Sequence, residues 1–291
     1  MDVAERIEQA LVKNLEAVRG PSCPPGLERA VQYAVFPGGA RIRPKICLAV
    51  ADACGEDAPE VTDAAAAAIE LLHCASLVHD DLPCFDDSPL RRGRPSVHQA
   101  FGEPLAVLAG DALIVLAFQT LVRGTRQAPE RLAPLIEIIS RSVGLPGGIV
   151  AGQAWECESE SAVNLADYQQ AKTGSLFAAA TAAGAAAVGV ESEPWRALGE
   201  RIGSAYQVVD DILDVAGDAS VLGKPVHQDE ARGHPSSVRE LGLEGARKHF
   251  ESIMAGVVAT IPPCPGVARL EARIKEEAGK FLPAALAEHA A

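Results

Sequence analysis

Aromatic side chains are scarce in this sequence: Phe, Trp and Tyr make up 4% of its 291 residues. The 48% hydrophobic fraction must therefore build a core from Ala, Val, Leu and Ile. Basic residues are few as well. Lys and Arg number 26 against 39 acids, a formal net charge of −13, and a surface so acidic repels phosphate backbones. No nucleic-acid partner is expected, and a phosphate-bearing ligand would need cations as intermediaries.

Disulfide chemistry is also missing. The seven cysteines, at 23, 47, 54, 74, 84, 157 and 264, are odd in number and contain no C-x-x-C pair, which fits neither a disulfide framework nor a structural zinc site. A reducing, cytoplasmic location follows. The N-terminal MDVAERIEQALVKNLEAV has no continuous apolar run and does not read as a secretory signal. The uncharged stretch 173–190 is long enough to test as a membrane span. Ala, Gly and Thr dominate it, so a buried bundle helix is expected and no membrane span.

Strand patterns are almost absent, whereas helical spacing recurs. Val3, Ile7, Ala10, Leu11, Leu15 and Val18 trace one apolar face over residues 2–18. Further helices are expected at about 26–36, 42–53, 60–81, 104–123, 129–143, 163–190, 193–216 and 243–260. Breakers such as Pro37-Gly38-Gly39, Pro83, Pro146-Gly147-Gly148, Pro225 and Pro262-Pro263 separate them. No linker divides the chain, and one all-α domain over 1–291 is the simplest reading. The alanine run 64–68 and the 178–187 stretch suit central helices that neighbours approach closely.

Two acidic clusters carry the chemistry. The first, His79-Asp80-Asp81-Leu82-Pro83-Cys84-Phe85-Asp86-Asp87, places four carboxylates within eight residues and is followed by Arg91, Arg92 and Arg94. Carboxylates this close repel one another unless a divalent cation binds them, and the arginines suit phosphate oxygens. In the second, Asp210 and Asp214 are i and i+4 on one face of an otherwise apolar helix, with Asp211 beside them and Gln207 one turn earlier. Mg²⁺ takes one or two protein carboxylates plus substrate phosphates, so two such clusters suggest a diphosphate held between metal ions. A calcium loop is the alternative metal reading, but the D-x-D-x-D-G order is missing.

The ordered motifs F-P-G-G-A-R-I-R-P (36–44), L-L-H-C-A-S-L-V-H-D-D-L-P-C-F-D-D (71–87), L-R-R-G-R-P (90–95), A-G-Q-A-W-E (151–156), K-T-G-S-L-F (172–177), Y-Q-V-V-D-D-I-L-D (206–214) and L-G-K-P (222–225) resemble the trans-isoprenyl diphosphate synthases. Within that family the likeness is strongest to geranylgeranyl diphosphate synthases of purple-bacterial carotenoid pathways. The resemblance implies a single-domain antiparallel helix bundle around a deep central cavity, acting as a homodimer. Asp80, Asp81, Asp86, Asp210, Asp211 and Asp214 would hold three Mg²⁺ ions. Lys172, Thr173, Gln207 and Lys224 would neutralise the leaving diphosphate. Arg91 would contact the allylic diphosphate, and Gly39, Arg43, His73 and Arg92 would seat isopentenyl diphosphate. Product length would depend on Leu72, Ala75 and Ser76, just ahead of the first motif; the small Ala75 leaves room for twenty carbons. Two lysines common in the family are replaced here, by Ala40 and by His234 after Gly233.

Three rival readings stand beside this one. A farnesyl diphosphate synthase would stop at fifteen carbons, and a regulatory subunit would show no turnover alone. A class I terpene cyclase would carry an Asn/Ser/Glu second motif rather than Asp210-Asp211-Ile212-Leu213-Asp214. Trp155, Trp195 and Tyr33 read as packing residues, and nothing marks Cys74 or Cys84 as a nucleophile. His79 reads equally as a neighbour of the metals or as a polar helix end. Glu156 and Glu158 are placed near the cavity without an assigned role.

Overall fold

A computed structural model describes residues 2–158, 164–216 and 236–278. The helices are α1 (Val3–Glu16), α2 (Pro25–Val35), α3 (Ile42–Cys54), α4 (Pro59–Asp80), α5 (Val97–Phe101), α6 (Glu103–Gly124), α7 (Leu132–Val143), α8 (Ile149–Trp155), α9 (Leu165–Gln169), α10 (Ser175–Ala187), α11 (Glu193–Ala216), α12 (Ser237–Val257) and α13 (Val267–Ala278). One buried cluster runs through them from Ile7 on α1 to Ile274 on α13, and a smaller one joins α11 to α12 around Val208, Val209, Ile212 and Ala246.

Small side chains set how closely the central helices meet. α4 opens with Pro59 in its first turn, where the missing N–H has no cost, and buries Ala64 to Ala68. Every residue of α10 is buried, so the apolar 173–190 stretch is bundle interior in its helical part. At Gly184 an added Cβ would press on the Cys47 carbonyl, and at Gly199 on the Phe177 carbonyl. There α10 meets α3 and α11 at near-backbone distance.

Several boundaries differ from the sequence expectation. The segment expected over 163–190 is α9, then a five-residue π-turn at Gln170–Gly174, then α10; residue 163 lies outside the described residues. The helix expected at 243–260 already starts at Ser237, bends at Gly242 (φ 70) and ends in a 3₁₀ turn. α5, α8 and α13 were not expected. The first two are five and seven residues long, too short for a readable periodicity, and α13 buries Leu270 and Ile274 in a polar context. One hairpin interrupts the helices: β1 (Leu90–Arg91) pairs antiparallel with β2 (Arg94–Pro95). Its two-residue turn, Arg92 (φ 55) and Gly93 (φ 74), has the positive φ values of tight hairpin turns. Strands of two residues leave no alternation to read in the sequence.

Among the described residues α4 and α6 are long and apolar enough to cross a membrane by length and composition. α4 is the bundle's centre, with 78% of that window buried, against 44% for α6. The outer side of α6 exposes Val107, Leu108, Val115 and Val122. Beside it, α1, α2 and α6 enclose a groove of about 460 Å³ lined by Val12, Leu15, Leu27, Val31 and Val115.

Candidate active site

The first acidic motif is shaped by the end of α4. Asp80 is its last residue, and the chain then curls so tightly that Asp86 N–H donates to the Asp80 carbonyl at 2.9 Å and Ser88 N–H to the Asp81 carbonyl at 3.2 Å. Asp87 takes a positive φ of 44° to complete the curl. The curl brings Asp86 back to Asp80 along the backbone. Asp81 has a different job. It is 2% exposed, and the Arg91 guanidinium donates to both of its oxygens, Nε at 3.0 and 3.2 Å and Nη2 at 2.5 Å. Burial raises its pKa and Arg91 pulls it back. The expectation that Asp81 faces a metal thus meets a structure in which both oxygens orient Arg91, which also lies 3.5 Å from Asp80.

The second motif divides in the same way. Asp211 is 1% exposed; its Oδ1 accepts from Gln207 Nε2 at 2.8 Å and its Oδ2 from the Ser237 N–H at 2.6 Å. The residue expected to bind metal therefore anchors the first turn of α12, where a negative charge also suits the helix dipole. Asp210 is half-buried and Asp214 buried on the same stretch of α11.

The π-turn between α9 and α10 touches both motifs. Lys172 Nζ lies 3.4 Å from Asp80 Oδ1, while its neighbour Thr173 donates through Oγ1 to Gln207 Oε1 at 2.7 Å, and Gln207 continues to Asp211. Two adjacent residues thus reach clusters on different helices, which places α4 and α11 on opposite sides of one site. A π-turn widens the helix by one residue per turn, a distortion that recurs at functional sites. Burial works against the Lys172 charge, but Asp80 and Glu156 outweigh it and raise its pKa.

A cationic cluster forms around the start of α3. Arg41 starts α3 with φ 52 and is pinned by Glu8 at 2.8 Å, Glu70 at 2.6 Å and the Val35 carbonyl at 2.8 Å. That network fixes the loop bearing Gly39 and the first turn of α3, which bears Arg43. Arg43 is 9% exposed, with its guanidinium 4.4 Å from the Phe177 ring centroid and 3.4 Å from His73 Nε2. Its Nε is buried without a hydrogen-bond partner, a costly state that an anion would relieve. Arg92 packs on Gly39, where an added Cβ would sit 3.1 Å from its Nε. Burial, then Arg43, Arg92, Arg91 and Arg41, hold the His73 pKa well below its ordinary value, so the ring is a neutral donor or acceptor here.

Leu72 and Ala75 are 1% and 2% exposed on α4, and Ser76 turns its hydroxyl to the His73 carbonyl at 2.9 Å. Cys74 is buried, which pushes its thiol up to about 11 and makes it a poor nucleophile. His79 reaches the Val107 carbonyl on α6 at 3.2 Å and lies 3.9 Å from Asp111 Oδ1. Lys224 and His234 lie outside the described residues.

Residues that the sequence left without a role also converge here. Glu156 accepts from Tyr168 Oη and Lys172 Nζ, each at 2.5 Å, and from Gln153 Nε2 at 2.9 Å. Tyr33, read as packing, donates to the Pro95 carbonyl at 2.8 Å and stacks under Arg94 at 3.4 Å, bracing the hairpin that carries Arg91 and Arg92. No sequence signal distinguished either residue, since both act through partners far along the chain.

Among the described residues no trio of His, Cys, Asp and Glu is grouped closely enough to hold a metal by itself. All-oxygen donors arranged as separated pairs nevertheless fit Mg²⁺, which leaves most of its positions to water and phosphate. Asp80, Asp86, Asp210 and Asp214 are the residues that would hold it.

The polyprenyl synthetase family model matches residues 24–259. The chain is 52% identical over 287 residues to a geranylgeranyl diphosphate synthase of Cereibacter sphaeroides, covering 99% of each, and 54% identical over 282 residues to that of Rhodobacter capsulatus, covering 97% of each. Its fold matches the crystal structure of a geranyltransferase from Helicobacter pylori complexed with magnesium and isoprenyl diphosphate, with TM-score 0.84, 32% identity and 96% of each chain covered.

Proposed function

The chain belongs to the polyprenyl synthetase family, and from that membership and the named relatives we infer that it condenses isopentenyl diphosphate with an allylic diphosphate to give geranylgeranyl diphosphate. The observation that carries this reading is the π-turn, whose Lys172 and Thr173 reach the first and second aspartate motifs respectively. A diphosphate between α4 and α11 would meet carboxylates on both sides and a lysine at the centre.

Bound Mg²⁺, three ions in this reading, supplies electrophilic stabilisation of the charge that builds on the allylic diphosphate as its C–O bond breaks. Arg91, oriented by Asp81, and Lys172 bind the same oxygens directly. Arg43, His73 and Arg92 hold the isopentenyl diphosphate so that its double bond faces the allylic cation. The Phe177 and Tyr206 rings beside Arg43 help exclude water, which would otherwise capture that cation. Loss of a proton to the released diphosphate completes the elongation. Ala40 removes one family cation from this cluster, and the unsatisfied Nε of Arg43 is a donor left for the diphosphate.

The apolar face of α6 and the groove beside it support a homodimer buried along α6, since an exposed stripe of Val107, Leu108, Val115 and Val122 is otherwise unfavourable. The acidic charge and unpaired cysteines support a cytoplasmic location, and the purple-bacterial relatives a place ahead of carotenoid synthesis.

The test is incubation of the purified chain with Mg²⁺, isopentenyl diphosphate and each of the three short allylic primers, followed by chromatography of the products. A twenty-carbon product that EDTA abolishes is expected. A product ending at fifteen carbons would move the protein to the farnesyl synthases, absence of turnover would favour a regulatory subunit, and EDTA-resistant turnover would refute the metal role.

A further inference from the structure

Lys172 stands between two carboxylates, and it is closer to the one outside both aspartate motifs. Its Nζ is 2.5 Å from Glu156 Oε1 and 3.4 Å from Asp80 Oδ1. Glu156 is itself fixed: Tyr168 Oη and Gln153 Nε2 donate to it, and its side chain is 11% exposed. The backbone beneath is equally constrained, because α8 lies against the π-turn with no room at Gly152 for a Cβ beside the Lys172 backbone.

Asp80 needs a free oxygen if it is to take a divalent cation, and an ammonium fully paired with it would compete for that oxygen. Resting on the proposed reading of the site, we propose that Glu156 is a positioning residue that holds the Lys172 ammonium back from Asp80, leaving Asp80 open to metal and Lys172 ready for the diphosphate. Without the Glu156 charge, Asp80 is the carboxylate at hand for Lys172, and the two close up. The metal must then displace the lysine before it can bind. Glu156 exerts its effect through Lys172 and contacts no reacting atom.

Titration of the purified protein with Mg²⁺ in the presence of inorganic diphosphate, followed by thermal shift and calorimetry, tests this without relying on turnover. For Glu156→Gln, which keeps the shape and removes the charge, the Mg²⁺ concentration at half-maximal response is expected to rise roughly five- to tenfold, the range of one lost half-buried ion pair. Glu156→Asp should recover most of the wild-type midpoint. Because Lys172 itself binds the diphosphate, the double variant Glu156→Gln/Lys172→Met is read against Lys172→Met alone, and should show no further rise, since the competing ammonium is gone. A merely structural role for Glu156 predicts the same rise from Glu156→Gln in the Lys172→Met background as in the wild type, and that result would overturn the proposal, as would an unchanged midpoint in Glu156→Gln. Should Glu156→Gln fail to fold, Tyr168→Phe, which loosens Glu156 and leaves its charge, must raise the midpoint by a smaller factor, and no rise would count against the idea. Absence of any Mg²⁺-diphosphate response in the wild type would instead defeat the functional reading on which the proposal stands.

Discussion

Replacing Asp211 by Asn separates two roles that the sequence cannot distinguish. Asp211 Oδ2 accepts the Ser237 N–H at 2.6 Å and Oδ1 accepts from Gln207 at 2.8 Å, in a position 1% exposed. Asn can offer one oxygen. If that oxygen stays with Ser237, its amide nitrogen faces the Gln207 amide, donor to donor, and Gln207 must flip and disturb the bond from Thr173. A hydrogen bond to a buried charge is worth about 1.5–3 kcal/mol, and the charge at the start of α12 adds about 0.3–1 kcal/mol. Against this, the burial that raises the Asp211 pKa is relieved in the neutral variant. A net loss of about 1–2 kcal/mol remains. At about 2–4 °C per kcal/mol for a chain of this order of size, the midpoint of thermal unfolding should fall by roughly 2–8 °C. Hydrogen exchange should speed up in the first turns of α12. Asp210→Asn, at a half-buried position, should instead leave the melting temperature nearly unchanged and weaken the stabilisation by Mg²⁺ with diphosphate. If both variants melt like the wild type and lose the metal response equally, Asp211 is a metal ligand and the anchoring argument is refuted.

Two further outcomes follow from named contacts. Ala75→Tyr puts a ring where α4 has a methyl group 2% exposed, so the product should shift from twenty toward fifteen carbons by chromatography; an unchanged profile would remove Ala75 from product control. His73 is held neutral in the folded protein, well below its ordinary value of 6.5, by burial and the surrounding arginines. The unfolded chain therefore gains a proton as pH falls through 6.5 that the folded one does not take, and stability declines below that pH by at most about 1.4 kcal/mol per unit from this group. His73→Gln should flatten that limb in urea unfolding between pH 6.5 and 5, and an identical slope in both proteins would count against it.

The long helices and both acidic clusters were legible because each has a period or a density that survives in one dimension. Asp80-Asp81 and Asp210-Asp211 were legible as pairs but not as individuals. Which member of a pair is consumed by Arg91 or by the Ser237 amide depends on helix phase and on segments 10 and 26 residues away. The π-turn at 170–174 reads as continuous helix, since one extra residue per turn leaves composition unchanged. Glu156 stayed without a role because its partners, Tyr168 and Lys172, lie 12 and 16 residues further along the chain. Arg41 beside Arg43 shows the same limit: one arginine is saturated by Glu8, Glu70 and Val35, while the other keeps an unmet Nε.

α10 constrains the history open to this protein. Eight of its thirteen residues are alanine and all are buried, with Gly184 and Gly199 admitting neighbouring carbonyls. Enlarging any of these side chains forces two helices apart, and shrinking one to glycine weakens the helix by about 1 kcal/mol. Neutral drift is therefore nearly closed along this segment, and change there must come as paired substitutions on facing helices.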